Sequence, residues 1–429
     1  MAETPNTVKA PRITTAVFGG VFDVDGAGHY PGLELINFVV CSTDGVLPPN
    51  GPARLRRATH DFARRLVTDH LTPDQRKAVL MDAHSAQAVS RLLRCLELEV
   101  PNAVKTKSWE RTHFFPYTRS LVHWDARIRG NSEQAQLERR YLRGGGAYAY
   151  SVLRKDPDAA RLAKVRQGFE HLYPTVGASP LELLGATLRD HGVVDKEPVL
   201  DQIEPHSDVR DDRWDDLFRD GMANILSHQS LPSVQRVRAV ANWTGIWLVL
   251  LECGRAAVRL NRSSGLVLDC AGTHSQLRRA AQKSFKEQLS NIEDAASLEA
   301  QQLNAQISAQ QMNKIKAFMS STAGTCGLLN APRGRRHFML RLEAIETLVM
   351  AALPSGQERD FEAFATEFIF ERCSLIVSRQ AAHRAGLLSA FDASIFEENE
   401  RRLADQIRAA GMLRVYSDAT RMVSVGGVQ

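Results

Sequence analysis

The chain lacks segments that would direct it into or across a membrane. Its N-terminal residues, MAETPNTVKAPRITT, contain no apolar stretch of the kind found in secretory signal peptides. The most apolar run, residues 239–251, is bounded by Arg238 and Glu252 and is too short to span a bilayer, so it predicts a buried helix. From these features we expect a cytoplasmic protein without a membrane partner.

Cysteine and histidine motifs are also missing. The six cysteines are scattered, with no Cys-x-x-Cys pair and no Cys/His cluster, which argues against zinc sites and disulfide frameworks. Such free cysteines fit a reducing compartment. The histidines form no HxH or HExxH pair. We therefore expect no bound metal and no other cofactor.

Motifs that carry catalytic chemistry are equally absent. No Gly-Lys-Ser or Gly-Lys-Thr ends a phosphate-binding loop, and no GxSxG serine elbow occurs. Asp269 follows the apolar residues LVL, but it lacks the companion lysine of a PD…ExK nuclease site. These absences predict a protein without catalytic activity.

One short motif points the other way. The segment FDVDGAG, residues 22–28, resembles the first motif of haloacid-dehalogenase phosphatases, in which an aspartate nucleophile is followed two residues later by an aspartate acid/base. The resemblance implies these roles for Asp23 and Asp25, with magnesium as cofactor. The family's threonine is replaced by Ala27, and no paired aspartates follow a later strand. A β-hairpin with its turn at Asp25-Gly26 is the other interpretation, and a magnesium-dependent hydrolase is an alternative function.

The composition is that of a globular protein. Of the 429 residues, 44% are hydrophobic and 24% are charged. A net charge of +5 permits contact with nucleic acid without requiring it. At roughly 150 residues per domain, the length suggests two or three domains.

The pattern along the chain predicts a mainly α fold in four parts. Residues 1–50 read as a small β-rich N-terminal element, because apolar and β-branched residues cluster on either side of a turn. Residues 51–274 read as a helical body, in which the acidic stretch 208–216 is a solvated helix start. The Gln-rich residues 275–320 predict a long helix or helical hairpin, and residues 331–429 a winged-helix domain.

The glycine run at residues 144–146 allows two interpretations. Basic residues flank it, and Tyr141, Tyr148 and Tyr150 are nearby, which is the combination of cations and aromatic faces used by nucleic-acid-binding loops. The same stretch also fits a helix break with arginines lying along the surface.

The clearest indication of a partner lies near the C-terminus. A helix over residues 396–410 is expected to stop at Gly411, and MLRVYS, a DAT turn and RMVSV then predict a β-ribbon. This is the order of a recognition helix and its wing, so we expect double-stranded DNA as a partner. Arginines of the last helix, the wing and the strand entry could contact phosphates. They are Arg401, Arg402, Arg408, Arg414, Arg421, Arg333, Arg335 and Arg336.

The beginning of that helix favours a different partner. The sequence FEENE places Glu397, Glu398 and Glu400 where base-reading side chains normally lie, and carboxylates repel phosphate. The alternative is a scaffold whose winged helix docks protein subunits.

Two stretches resemble a known group of proteins. Residues 214–237 and residues 325–349, the latter continued by residues 396–423, are similar to non-enzymatic companion proteins encoded in bacterial anti-phage defence islands. In these proteins a helical body ends in a winged helix. The resemblance covers about the C-terminal half and includes no catalytic motif. It implies a DNA-associated, non-catalytic subunit of a multi-protein bacterial assembly, beside a methyltransferase, helicase or nuclease encoded by neighbouring genes.

Overall fold

Helices dominate the part of the chain that the structure describes, which confirms the mainly α class. None of the helices described is long and apolar enough to cross a membrane. The structure, a computed structural model, describes residues 7–23, 31–42, 44–49, 51, 118, 145–174, 183, 208–270, 272, 274–331, 334–417 and 420–426, and the backbone of short strands at 53–57, 114–116, 122–124, 126–127, 136–137 and 199–203.

Eight helices of the described residues precede residue 330 and form the helical body. They are α1 (Ala10–Phe18), α2 (Pro31–Cys41), α3 (Gly145–Arg154), α4 (Ala159–Leu172), α5 (Arg213–Ser227), α6 (Ser233–Leu260), α7 (Ser275–Gln302) and α8 (Ala309–Thr325).

The strands before residue 330 are short and pair mostly in twos. β1 pairs with β9 in parallel, whereas β2 with β7, β3 with β4 and β5 with β6 are antiparallel. Their bounds are β1 (Thr7–Val8), β2 (Ala53–Arg57), β3 (Phe114–Pro116), β4 (Val122–Trp124), β5 (Ala126–Arg127), β6 (Gln136–Leu137), β7 (Val199–Ile203), β8 (Leu266–Val267) and β9 (Gln306–Ile307).

The β-rich element predicted for residues 1–50 is wrong, because both of its apolar runs are helices. Pro11 lies in the first turn of α1, and Gly19 ends the helix with a left-handed φ of 90°. All eleven residues of α2 are buried. A run that is apolar on every side has no period that separates helix from strand. The turn proposed at Asp25-Gly26 lies outside the described residues.

Helix α6 lies at the centre of the core and contacts α2, α5, α7, α8 and a later helix, Leu342–Ala352. Trp243 and Trp247 are fully buried on it. Their indole N–H groups donate to the backbone oxygens of Phe218 at 3.1 Å and Trp214 at 2.7 Å. The two rings therefore fasten α5 to α6 without leaving a buried donor unsatisfied.

The Gln-rich segment is helical in two pieces that pack against each other. α7 ends at Gln302, and Asn304 then adopts a left-handed φ of 48°. α8 begins after Ser308, whose hydroxyl oxygen accepts a hydrogen bond from the Gln311 N–H. An ion pair of 2.7 Å between Lys316 and Glu293 joins the two helices.

The chain then folds back, with a single antiparallel bridge between Leu329 and Phe338. The elements that follow form the C-terminal unit. They are α9 (Leu342–Ala352), β10 (Glu358–Asp360), α10 (Phe361–Ala363, continued as a π-helix over Phe364–Arg372), β11 (Leu375–Ile376), α11 (Arg379–Arg384), a 3-10 turn (Leu387–Ser389), α12 (Ala393–Ala409), β12 (Leu413–Ser417) and β13 (Thr420–Ser424).

The C-terminal unit contains a three-stranded antiparallel sheet in the order β10–β13–β12. Glu358 lies opposite Ser424, and Arg414 lies opposite Met422. Asp360 caps the helix that follows β10, because its carboxylate accepts the N–H groups of Glu362 and Ala363. β11 pairs in parallel with β8 of the body.

The apolar core is continuous between the body and the C-terminal unit. Leu348, Leu403 and Ile407 belong to the same buried cluster as the tryptophans of α6. Polar contacts add to this packing, since Arg372 pairs with Asp220 at 2.7 Å. Residues 321–336, whose glycine, proline and arginine content is typical of a linker, include the end of α8 and the bridge at Leu329.

We expect Gly146→Ala to destabilise the protein by about 1–3 kcal/mol, because there is no room for a methyl group. A Cβ on Gly146 would lie 2.4 Å from the Glu34 Cβ and from the Pro31 carbonyl oxygen. Gly324→Ala in α8 is the matched control, because nothing lies within 4 Å of its Cβ position. The control should be neutral or slightly stabilising. Urea denaturation of both variants tests this, and equal midpoints would contradict it.

Candidate nucleic-acid interface

Helix α12 is held in place by a buried asparagine. The Asn399 amide oxygen accepts the Cys270 N–H at 2.8 Å, and its amide nitrogen donates to the carbonyls of Leu268 at 2.9 Å and Val377 at 3.0 Å. Ile395 and Phe396 are buried on the same side against α7 and α11. The inner side of α12 therefore serves packing, and only its outer side is free for a partner.

The arginines predicted on α12 are largely neutralised by acids of the same helix. Arg401 and Arg402 pair with Glu398 at 2.8 Å and 2.9 Å. Arg402 also lies 3.9 Å from Asp405. Arg408 is exposed, and it has no ion pair among the described residues. The outer side of α12 thus carries both charges.

The wing arginines lie on opposite faces of the ribbon. Arg421 is opposite Val415, whereas Arg414 is opposite Met422, and neighbouring residues of a strand point to opposite faces. Arg414 lies 3.5 Å from Glu358. Arg421 lies over the ring of Phe361, 4.6 Å from its centroid. The two side chains therefore cannot face one duplex together.

The strand-entry arginines are partly described. Arg333 lies outside the described residues. Arg335 is exposed, and the Arg336 guanidinium lies 4.9 Å above the ring of Phe285 in α7. Asn330 closes the turn, since its side-chain oxygen accepts the His337 N–H at 2.8 Å. The structure therefore brings Arg336 to α7.

The glutamates at the start of α12 are present as the sequence indicated. Glu397 pairs with Arg379 at 2.7 Å, and Glu398 holds the two arginines named above. Burial raises the pKa of Glu400, against the lowering effect of Arg421. The first turns of α12 are therefore acidic on the side where base contacts are normally made.

The glycine run does not form an exposed loop in its described part. Gly145 and Gly146 begin α3 and are buried against α2, where the Gly146 N–H donates to Glu34 at 2.9 Å. Tyr148 and Tyr150 are fully buried. These rings are unavailable for stacking on bases, which argues against the nucleic-acid-binding loop. The residues before Gly145 lie outside the described residues, so the helix-break interpretation stays a prediction.

The acidic stretch 208–216 is partly solvated, as expected for a helix start, since Asp208 and Asp211 are exposed. Asp215 is the exception, because it belongs to a buried ion network. Asp215 has no exposed surface, and Arg255 is 4% exposed. Arg255 binds Asp215 at 3.0 Å, Asp212 at 2.9 Å and the Tyr148 hydroxyl at 2.7 Å, and it also donates to the Phe18 carbonyl. The network therefore joins α1, α3, α5 and α6.

Burial and the charge of Arg255 together determine the direction of the pKa shifts in this network. Burial raises the pKa of Asp215, against the nearby guanidinium. For Asp212, which caps α5, burial is outweighed by the hydrogen bond from Arg255, and the pKa is lowered. Burial also raises the pKa of Tyr148. The hydrogen bonds and ion pairs of this cluster connect different helices, so we assign the cluster a role in stabilising the fold.

Of the carboxylates considered for catalysis, the structure describes Asp23 and Asp269. Asp23 is half-buried shortly after α1, where the sequence suggested a strand, and Asp25 lies outside the description. Asp269 is buried and lies 3.6 Å from His337 and 3.8 Å from Arg278. No group of three or more His, Cys, Asp or Glu side chains that could hold a metal occurs among the residues described.

Comparison with known proteins adds no relative. No protein-family model matches the chain, and searches of curated proteins and of solved structures found no significant match.

Proposed function

We propose that the chain is a DNA-associated, non-catalytic subunit of a multi-protein bacterial assembly, and that its C-terminal unit binds duplex DNA as a winged helix. The order of the sheet is the observation that carries this proposal. β10, the strand before the second helix, lies beside the last strand, and α12 directly precedes the β12–β13 ribbon. This is the arrangement of winged helix-turn-helix modules.

The sequence resemblance supports a role in anti-phage defence, beside a DNA-modifying or DNA-cleaving enzyme of the same system. Such a subunit supplies DNA contact or positioning, and its partner supplies the chemistry. This division of labour agrees with the lack of phosphate-loop and nucleophile motifs in the sequence.

Protein docking is the second candidate, and the acidic start of α12 favours it. Glu397 and Glu398 are paired with arginines of the same unit, so binding DNA there would require breaking those pairs. A docking helix with mixed charge needs no such change.

Salt dependence separates the two candidates. We expect the full-length protein to bind a 30-bp duplex, with affinity falling linearly on a log–log plot as NaCl increases from 50 to 200 mM. Each phosphate contact contributes about 0.9 to the slope, because counterions are released. Fluorescence anisotropy measures this directly. A protein that does not bind DNA would favour docking.

Reversing the wing charges should weaken DNA binding. Arg414 and Arg421 point to opposite faces, so only one of them can contact a given duplex. We therefore expect the double variant Arg414→Glu with Arg421→Glu to lower the slope of log affinity against log salt concentration by about 0.9. One of the two single variants should show the same decrease. Lys155→Glu with Lys164→Glu is the control, since both lysines are exposed in the body. Binding unchanged from this control would exclude the wing as a DNA contact.

A further inference from the structure

We propose that the first half of α7 and the turn residues 334–337 form a second phosphate-binding surface for duplex DNA. This inference rests on the proposed function and extends its DNA contact beyond the winged helix. The basic surface comprises Arg278, Arg279, Lys283, Lys286, Arg335 and Arg336.

The chain segments that contribute to the basic surface contain far more basic than acidic residues. Between Glu252 and Glu287 the only acidic residue is Asp269, which is buried. Between Glu299 and Glu343 the chain has no acidic residue and six lysines or arginines. Both segments contribute cations to the basic surface, whose ion pairs among the described residues are Arg278 with Asp269 and Lys283 with Glu287.

Helix geometry places three of the cations in one stripe. Arg279, Lys283 and Lys286 are spaced i, i+4 and i+7, and all three are exposed. The stripe is about 10 Å long at 1.5 Å per residue. Phosphates of one strand follow each other at about 3.4 Å along the duplex axis, so a stripe of this length can reach several of them.

The turn adds its cations to the neighbouring side of α7. The Arg336 guanidinium lies over the ring of Phe285, and a cation stacked on an aromatic face keeps its N–H donors for hydrogen-bond acceptors such as phosphate. Arg278 lies two turns before that ring, and its side chain is 52% exposed. Arg335 is exposed at the adjacent position.

These cations are less neutralised than those of α12 and the wing. Arg279, Lys286, Arg335 and Arg336 form no ion pair with a described residue, and Lys283 has a single exposed pair, with Glu287 at 3.6 Å. By contrast, Arg401, Arg402, Arg414 and Arg421 each lie within 4 Å of a carboxylate. Unpaired cations bind phosphate without first breaking an internal pair.

The basic surface is continuous with the C-terminal unit. Two adjacent residues make the connection: Asp269 contacts Arg278 and His337, and Cys270 is hydrogen-bonded to Asn399 and Gln406 of α12. The first half of α7 therefore packs next to the inner side of α12.

Duplex DNA fits this surface better than a single strand. Single-strand binding uses aromatic faces for stacking, and the exposed large hydrophobic side chains of the described residues all lie elsewhere. Phe285, the nearby aromatic ring, is 3% exposed and is covered by Arg336. We therefore expect recognition of the phosphate backbone without sequence preference.

The test is Arg279→Glu, Lys283→Glu and Lys286→Glu combined in the full-length protein. The control carries Lys155→Glu, Lys164→Glu and Arg238→Glu, which is an equal charge change on exposed residues elsewhere. Anisotropy titrations use two unrelated 30-bp duplexes and one single strand. We expect the triple variant to lower the salt slope by about 2.7 and to weaken duplex binding at least about tenfold on both duplexes, while the control stays near wild type.

The outcomes are separable. If the wild type binds duplex DNA and the triple variant binds as well as the control does, the basic surface is refuted while the proposed function stands. A loss confined to the single strand would also refute it. No duplex binding by the wild type would overturn the proposed function and this inference together. Thermal melting checks that all variants fold. Substitutions at exposed positions should change the melting temperature little.

Discussion

Arg255→Met should lower the free energy of unfolding by about 3–5 kcal/mol, the usual effect of removing one partner of a buried ion pair. The substitution leaves Asp215 fully buried with its strongest partner gone. It also removes the donor to the Tyr148 hydroxyl and to the Phe18 carbonyl. Four helices lose a common anchor at once, so the loss cannot be relieved locally.

Two comparisons check that explanation by urea denaturation. Arg262→Ala removes an exposed pair with Asp294 and should change stability by about 1 kcal/mol or less. Adding Asp215→Asn to Arg255→Met removes the stranded charge and should recover part of the loss. If Arg255→Met costs no more than Arg262→Ala, the network does not stabilise the fold as described.

Glu252→Gln should make the protein more resistant to rising pH. Glu252 is completely buried on α6, and neither carboxylate oxygen has a hydrogen-bond partner. Burial holds the pKa of this carboxyl well above its ordinary range. The folded protein therefore keeps a proton that the unfolded chain releases, so stability falls as pH rises above the unfolded pKa of about 4.3.

The size of this effect follows from proton linkage. For each pH unit between the unfolded and the folded pKa, the wild type should lose about 1.4 kcal/mol relative to Glu252→Gln, which has no proton to lose. The two proteins should be similarly stable near pH 4.5 and diverge towards pH 8. Glu287→Gln, at an exposed position of α7, is the control. Parallel stability curves for wild type and Glu252→Gln would contradict the prediction.

The sequence predicted elements whose signals are local. The end of α12 before Gly411 and the β12–β13 ribbon depend on residues next to each other in the chain. The N-terminal apolar runs were misjudged for a physical reason. α2 is buried on every side, so hydrophobicity alone carried no information about its conformation.

Long-range pairing was the main source of error at the candidate interface. Asp215 looks solvated in the sequence because its partner, Arg255, is about forty residues away on another helix. Likewise, the sequence could not show that Arg336 leaves the C-terminal unit to lie on Phe285. A one-sided charge count over residues 278–286 was the signal that could have identified the basic surface.

The shared core also has a consequence for how the chain is made. Val423 and Ile407 complete a cluster that includes the tryptophans of α6, yet α6 ends at Leu260. Ribosomes add about 5–20 residues per second, so roughly 10–30 s pass between the synthesis of α6 and that of β13, which completes the core around it. During that interval its apolar sides are exposed to other nascent chains, and early termination after α8 would release a product with an open core. We expect chaperone demand to be concentrated in the last third of synthesis.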